Sequence, residues 1–370
     1  MKRALSLLKN AALFATVLCV LGLVLSSLAP YVDPRKYWWM GIIGLGFLPM
    51  FGLTVFLFVF WIIVRIRFAV VPLVGLLVAT PAIRQAVSFN VFKAKARSDQ
   101  HDLRVMTYNV RNFDLYNWTQ EGETRRKMMG LISDERPDIA CFQEFYYQDK
   151  GAYANVTLLG RTGFKHHHTL VTNTVKDQHW GIATFSKFPI VGKGRVDFPM
   201  QTNNTCIYTD IDVRGTIVRV YNVHLQSIYL TRKDYAYIED FNSDKNKMNR
   251  EANQRILVKL KKAFQRRAEQ VHLIDSHIRR SPYPVLLCGD FNDTPVSFTY
   301  NTFRRTLNDS FAEKGWGMAP TYAGMIPLLR IDYMLHDPRF ITQAYRTKRQ
   351  EYSDHYPVVA EYKLVDSIPE

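Results

Sequence analysis

At 370 residues, 47% of them hydrophobic and 22% charged, the chain is long enough for two or three domains and apolar enough for a packed core, which excludes wholesale disorder. Four cysteines in a chain this long cannot form a dense disulfide framework, and Cys19 lies in an apolar run, so disulfides carry little of the fold. The net charge of +15 is unevenly placed: residues 1–94 hold nine Lys and Arg against one acidic residue, leaving +7 on the rest, an excess that suits an anionic ligand without naming one.

The uncharged run Ala11–Ala29 is long enough, at about 1.5 Å per residue, to cross the hydrocarbon core of a bilayer as a helix. A second uncharged stretch, Trp38–Val64, has Trp38, Trp39 and Trp61 near its ends, where indole rings favour the membrane interface, and is expected to span as well. A third, Phe68–Ile83, is shorter and holds Pro72 and Pro81. A cleaved signal peptide competes for the first run, given basic Lys2, Arg3 and Lys9 and small Ser26 and Ser27, but the second long span argues against simple secretion. Arg65 and Arg67 read as a tight cytoplasmic turn between apolar runs, which favours three spans, about 11–29, 38–64 and 68–83, in a membrane region of residues 1–94. With Lys2, Arg3 and Lys9 inside, three spans put residues 95–370 on the extracytoplasmic (periplasmic) side, whereas two would leave them in the cytoplasm.

Beyond residue 100 the pattern changes to short β-rich runs. Strands are predicted at Leu103–Val110, Asp138–Phe145, Gly181–Phe185, Thr205–Val213, Thr216–Leu225, Val285–Asp290, Arg330–Leu335 and Val358–Lys363. The turn Asp212-Val213-Arg214-Gly215-Thr216 sits at hairpin distance, so part of the pairing is antiparallel. Helices are predicted at Thr124–Ser133 and Asn249–Arg280; the second has apolar residues at steps of three and four and a face crowded with Lys and Arg. Two sheets packed face to face with helices outside accommodate these elements as a layered α/β protein.

Polar residues able to handle metal or protons recur at the ends of these apolar strands, where a side chain leaves the core. They are Asn109, Glu144, His224, the pair Asp290 and Asn292, Asp332, and the pair Asp354 and His355. Singly, an Asn or Asp at a strand end more often caps a turn, and a lone His is more often a satisfied core residue. Six such strand ends at matched positions weigh differently, because Asp290 and Asn292, two apart, share one side of an extended chain.

The set TYNV, QE, NVHL, GDFND, RIDY and SDHYP, in this order over residues 102–364, resembles the endonuclease/exonuclease/phosphatase superfamily, which includes DNase I, apurinic endonucleases, inositol-phosphate 5-phosphatases and neutral sphingomyelinases. GIATFSKFPI at 181–190 resembles a structural strand and turn of the same family, and the N-terminal spans resemble those of bacterial membrane members. The resemblance implies a four-layer α/β sandwich following the membrane helices. It also implies roles: Glu144 as a metal ligand, Asn109 as a residue that helps hold the metal site, and Asp354 as a metal-side carboxylate. Asp290 orients or deprotonates the attacking water, with Asn292 contacting the phosphate. His224 matches the histidine found in DNase-I-like and phosphatase members, His355 contacts the scissile phosphate, and Asp332 orients His355.

The chemistry agrees with that assignment. A phosphodiester is anionic and resists hydroxide, so oxygen ligands holding a hard cation are needed, and the absence of cysteine or clustered imidazole there favours Mg²⁺ or Mn²⁺ over zinc. In apurinic endonucleases an aspartate stands two residues after the first-strand asparagine; here that position is Arg111, which either contacts phosphate or pairs with Asp114. His166-His167-His168 reads as a strand whose neighbours point to opposite faces, not as a metal cluster, and Cys141 and Cys288 read as packing. The basic face of 249–280 reads as solvated, with a nucleic-acid backbone or anionic headgroups as the other options. The expected function is a membrane-integral, metal-dependent phosphoesterase acting on a phosphate ester of nucleic acid or of a phospholipid headgroup. The alternative is a catalytically idle membrane-anchored binding protein for an anionic phosphate ligand.

Overall fold

The computed structural model describes residues 2–90, 101–199, 203–231, 233, 234, 236, 237, 250–324 and 328–365. In chain order the helices are α1 (Lys2–Ser27), α2 (Trp39–Leu45), α3 (Phe47–Arg65), α4 (Val70–Val78), α5 (Thr80–Ala86), α6 (Thr124–Glu135), α7 (Asn155–Arg161), α8 (Arg250–Ile278), α9 (Phe298–Arg304) and α10 (Ser310–Lys314). The strands of the two large sheets are β1 (Leu103–Asn109), β2 (Ile139–Gln148), β3 (His166–Val175), β4 (Gln178–Ser186), β5 (Ile190–Val196), β6 (Thr205–Val213), β7 (Thr216–His224), β8 (Val285–Asp290), β9 (Asn308–Asp309), β10 (Asp332–His336), β11 (Phe340–Thr347) and β12 (Val358–Leu364). Two compact units result, one of residues 1–87, 228–268 and 294–301 and one of residues 88–227, 269–293 and 302–370.

The first unit is helical, with Leu23, Phe47, Ala79, Ala82 and Ala86 in its interior and large apolar side chains on its outside as well. Leu7, Phe14, Phe56, Ile63 and Leu77 are exposed, while polar groups face inward: Trp61 Nε1 donates to Thr16 Oγ1 at 2.9 Å, and Cys19 Sγ lies 3.3 Å from Thr54 Oγ1. Trp61 therefore serves a helix contact, 1% exposed, and not the interface belt that its place near the end of an apolar run suggests. Two helices, Ser6–Tyr31 and Phe47–Phe68, are long and apolar enough to cross a membrane. The expected single span 38–64 is interrupted at Gly46, which divides α2 from α3, and the expected span 68–83 folds as α4 and α5, parted at Ala79 ahead of Pro81, each too short to cross alone. Residues 250–268 of α8 pack on the loop between α1 and α2 and on α2. A Cβ at Gly41 would meet the Phe264 ring at 2.7 Å, and Gln265 Nε2 donates to Arg35 O at 3.3 Å.

The second unit is a four-layer α/β sandwich. Its sheets have the orders β11-β12-β1-β2-β4-β3 and β9-β10-β8-β7-β6-β5. All neighbours are antiparallel except β1–β2 and β7–β8, which run parallel. Alternation sets the layers. From β1, Met106 and Tyr108 join Met128 and Ile132 of α6 and Leu159 of α7 in an outer core. Leu103 and Val105 face the other way, into the core between the sheets with Ile139, Val218, Val220 and Leu286. On the far side, Tyr221 Oη lies 2.7 Å from His277 Nδ1 of α8.

One end of the first sheet is held by buried charge. Glu361 accepts from Arg104 Nε at 2.9 Å and from Arg346 Nη1 at 3.0 Å, while Arg346 Nη2 and Lys348 Nζ bind Glu135 at 2.8 and 2.6 Å. Glu361→Gln removes the shared counter-charge of two buried guanidinium groups and is expected to cost about 3 kcal/mol, read as a lower melting temperature in detergent. Burial raises the Glu135 carboxyl, but Lys348 and Arg346 outweigh it and hold it below its ordinary range. Its stabilisation is therefore full above the unfolded-state pKa, about 4.3, and is lost as pH falls through the lower folded value, so Glu135→Gln should blunt the acid-side drop in melting temperature.

Candidate active site

Along the inner faces of both sheets, apolar side chains give way to polar ones in the same direction. In β1 and β2 the parallel register pairs Val105 with Ile139, Thr107 with Cys141 and Asn109 with Gln143. In β7 and β8 it pairs Val220 with Leu286, Asn222 with Cys288 and His224 with Asp290. The two C-terminal strand ends thus bring Asn109, His224 and Asp290 to one place, and β10 adds Asp332 opposite Asp290.

Local backbone conformation aims the remaining groups. A register shift in β2 between Phe142 and Phe145 puts Glu144 at φ 48, a left-handed conformation that turns its carboxylate out of the pleat and toward the site. Gly289 has φ 141, and a Cβ there would lie 2.0 Å from Val223 O, so only glycine allows β8 to approach β7 closely enough to seat Asp290 beside His224. Asn292 has φ 52; its backbone N–H donates to Asp290 Oδ1 at 2.8 Å, and its Nδ2 to Leu225 O at 2.9 Å and Asp290 Oδ2 at 3.2 Å.

The result is one cluster. Asn109 Nδ2 donates to Asp290 Oδ2 at 3.1 Å and to Glu144 Oε1 at 3.4 Å, while its Oδ1 accepts from Arg111 N at 3.1 Å. His224 Nε2 lies 3.7 Å from Asp290 Oδ2 and 3.8 Å from Glu144 Oε1. His355 Nδ1 is 2.9 Å from Asp332 Oδ2, and its Nε2 is 3.8 Å from Asp290 Oδ2. Asp354 sits at the rim with Arg111 Nε 3.3 Å away. All eight residues singled out in the sequence therefore lie in the second unit and in or beside one pocket. Arg111 pairs with Asp354 and stacks over Trp118 at 4.4 Å, whereas Asp114, the partner first considered, accepts from the Thr119 hydroxyl.

The electrostatics differ group by group. Burial, against the pull of His355 and His224, pushes the Asp290 carboxyl up to about 6. Burial and the charge of Asp354 raise Glu144. Burial lowers His224. For His355 burial is outweighed by Asp332, Asp290 and Asp354, so its imidazole is held protonated well above its ordinary range. Asp290, Asp332 and His355 form a buried group close enough to hold a cation, but His355 Nδ1 and Asp332 Oδ2 are bonded to each other and Asp290 Oδ2 accepts from two amides. The open carboxylates are Glu144 and Asp354, with side chains 37% and 30% exposed.

Sequence reasoning missed the groups beneath and behind this cluster. Gln143 Nε2 donates to Asn222 Oδ1 at 2.7 Å and to Thr107 Oγ1 at 3.1 Å, and Asn222 Nδ2 donates to Ala183 O at 2.9 Å, a buried amide bridge from one sheet to the other. Thr321 Oγ1 accepts from the N–H groups of Ile331 and Asp332, and Thr321 O accepts from Tyr356 N, so one threonine fixes the backbone on both sides of the Asp332–His355 pair. Gln143 and Asn222 stand within the quoted motifs as uncharged polar residues in apolar strands; Thr321 carries no comparable signal. The histidine run is structural: His168 Nδ1 lies 2.9 Å from Thr209 Oγ1, with burial lowering its pKa to about 4, and His167 stacks on Phe185. Cys141 and Cys288 are fully buried free thiols.

Residues 106–355 match the model of the Endonuclease/Exonuclease/phosphatase family. The chain belongs to this family. Its members are phosphoesterases, nucleases and phosphatases among them. Residues 7–86 match the model of a domain of unknown function, DUF8431. Among solved structures, an endonuclease/exonuclease/phosphatase from Beutenbergia cavernae is similar at 19% identity over 72% of this chain and 72% of that one, with a TM-score of 0.52. The human Nocturnin catalytic domain, solved with a bound sulfate anion, is similar at 18% identity over 72% of this chain and 97% of its own, also with a TM-score of 0.52. Identities this low speak for the fold alone. No curated protein matches the chain.

Asn222→Leu, close to isosteric, leaves the Gln143 amide and the Ala183 carbonyl without their partner in a dry layer. It is expected to cost about 2 kcal/mol, measured as a lower melting temperature of the full chain in detergent.

Proposed function

We propose that the protein is a membrane-tethered, divalent-metal-dependent phosphoesterase that hydrolyses a phosphodiester or phosphomonoester by in-line attack of water. The observation that carries this reading is the convergence of Asn109, Glu144, His224, Asp290, Asn292, Asp332, Asp354 and His355, from separate strands and loops, on one pocket.

The donor set fits a hard cation. Glu144 and Asp354 are partly exposed carboxylates, and the charge of Asp354 adds to burial in raising Glu144, a repulsion that a divalent ion would relieve. All the open donors are oxygens, which favours Mg²⁺ or Mn²⁺. Held there, the ion supplies charge to offset what builds on the phosphoryl oxygens. Asn109, whose Nδ2 faces both Glu144 and Asp290, sets the spacing of these carboxylates.

The chain's own groups do the rest. Asp290, with a proton affinity near neutrality, takes the proton of the attacking water at Oδ2, steadied by the amides of Asn109 and Asn292. His355, kept charged by Asp332 at Nδ1, presents Nε2–H to a phosphoryl oxygen, and His224 brings a second imidazole Nε2 to the same Asp290 Oδ2.

The first unit supports tethering and a side. Lys9 Nζ lies 5.9 Å over the Phe68 ring and Arg67 packs on the same ring, so the basic ends of α1 and α3 meet. At the other end of these helices, Asn301 Nδ2 donates to Pro30 O at 2.9 Å and Gln265 to Arg35 O, so the chain beyond residue 90 returns to the loop between α1 and α2. With the basic end cytoplasmic, and α4 and α5 together as the third crossing, the catalytic unit is extracytoplasmic. Protease added to intact spheroplasts is then expected to cleave it, and protection would reverse the orientation.

Asp290→Asn and His355→Ala are each expected to lower kcat on bis-p-nitrophenyl phosphate or p-nitrophenyl phosphate by about 10²–10⁴-fold with melting temperature little changed. EDTA should abolish turnover and added Mg²⁺ or Mn²⁺ restore it. Full activity in the Asp290 variant, or in chelator, overturns the mechanism.

A further inference from the structure

Residues 250–268 of α8 carry seven Lys and Arg against the single acidic Glu251. Part of this charge is structural: Arg255 and Lys259 bind Asp234 at 2.8 and 2.6 Å. The inward face is spent on packing, with Ala252, Ala263, Phe264 and Ala268 buried. The outward face is another matter. Leu257 is 44% exposed and Val258 59% exposed, and the next turn of the same face carries exposed Lys261 and Lys262, neither with an acidic partner among the described residues. Two large aliphatic side chains flanked by lysines on one helix face are unfavourable in water and suit the boundary between acyl chains and headgroups.

The neighbours of this face belong to the same boundary. Lys261 Nζ lies 5.8 Å over the Trp38 ring, and Gln265 is bonded to Arg35 O. The adjoining loop exposes Tyr31, Tyr37 and Trp39, the aromatic type that settles at headgroup level, at the end of two helices apolar enough to cross a bilayer. We propose that the 250–268 segment of α8 lies on the bilayer as an interfacial helix, inserting Leu257 and Val258 and binding anionic phospholipid headgroups through Lys261 and Lys262. The inference rests on the membrane-anchor reading of α1 and α3. It changes the role of the basic helix face from solvated surface to lipid contact, and a nucleic-acid backbone is disfavoured by the paired aliphatic residues at its centre.

The test uses the full chain reconstituted in vesicles of phosphatidylcholine, with and without phosphatidylglycerol. An environment-sensitive fluorophore is attached at Val258→Cys, or at Val59→Cys on the exposed side of α3 as the anchor control; the four native cysteines are buried. Lipids spin-labelled near the headgroup and deep in the acyl chain act as quenchers. The expected result is deep quenching at position 59 in both lipids, and shallow quenching at 258 that strengthens with phosphatidylglycerol. The double substitution Lys261→Gln with Lys262→Gln should then cut the 258 signal by about half or more while leaving that at 59 unchanged. Quenching at 59 with none at 258 overturns the interfacial helix and leaves the anchor standing. No quenching at 59 removes the anchor and this inference with it. Quenching at 258 indifferent to lipid charge and to the lysine substitutions overturns the headgroup assignment. A lower 258 signal on adding DNA to the anionic vesicles marks the face as a nucleic-acid surface and also overturns it.

Discussion

The active-site geometry depends on the buried amide bridge between the two sheets. Gln143 of β2 and Asn222 of β7 meet at 2.7 Å in a layer that is otherwise Thr107, Cys141 and Cys288, all fully buried. Hydrophobic contact alone fixes the distance between stacked sheets but tolerates sliding, because apolar side chains repack at small cost. A dry amide pair does not tolerate it, since a shift leaves donors and acceptors unpaired. The bridge sits one residue before Glu144 and two before His224. Locking Gln143 to Asn222 therefore locks the facing positions of a carboxylate from one sheet and an imidazole from the other.

Above that layer the same short distances sort four acids into different tasks. Asp332 is spent on His355, bonded at Nδ1, and keeps the ring charged. Asp290 accepts three amide hydrogen bonds yet is raised by burial, so it is poised to exchange a proton near neutrality. Glu144 and Asp354 lie nearer solvent, the first accepting from Asn109 and the second paired with Arg111. Placement in depth, and not residue type, separates the environments of these four acids.

Which parts of this were legible in the sequence follows from how each element is buried. The eight predicted strands are all present, and Thr205–Val213 and Val285–Asp290 have the expected bounds. The two long strands that were missed, β5 and β11, are sheet edges, and so is β3, of which only the histidine run 166–168 reads as strand. An edge strand covers less core and so carries a weaker apolar signal: β3 is largely His, Thr and Asn, and β5 holds two glycines. Asn109, His224 and Asp290 were legible because each ends an apolar strand with a group that the core cannot absorb, whereas Glu144 lies within β2, Asp332 begins β10 and Asp354 and His355 precede β12. The backbone devices were not. Nothing in the spelling of residues 111–114 announces four successive left-handed conformations, nor does Glu144 announce its positive φ, because both are imposed by tertiary packing. Thr321 was invisible for the same reason: its hydroxyl acts on the amides of Ile331 and Asp332, ten and eleven positions along the chain.

The helical unit departs from its hydropathy profile at particular residues. A window average sees Trp38–Val64 as one apolar run, but Gly46 ends α2 and the chain re-enters a helix at Phe47. Trp61 looks like an interface anchor by position; its indole N–H, which in hydrocarbon would lack a partner, is instead satisfied by Thr16 of α1. Two polar pairs, Trp61 with Thr16 and Cys19 with Thr54, join these helices beside an apolar cluster of Leu23, Phe47 and Ala79, while Leu7, Phe14 and Phe56 face outward. The loop between α1 and α2 gathers contacts from later parts of the chain. There Gly41 admits the Phe264 ring and Pro30 O accepts from Asn301, so segments 260–265 and 296–301 are tied to the helices by contacts that need no membrane. Both contacts lie within the helical unit, so segments far apart in the sequence fold onto the loop between α1 and α2 through one ring and one amide.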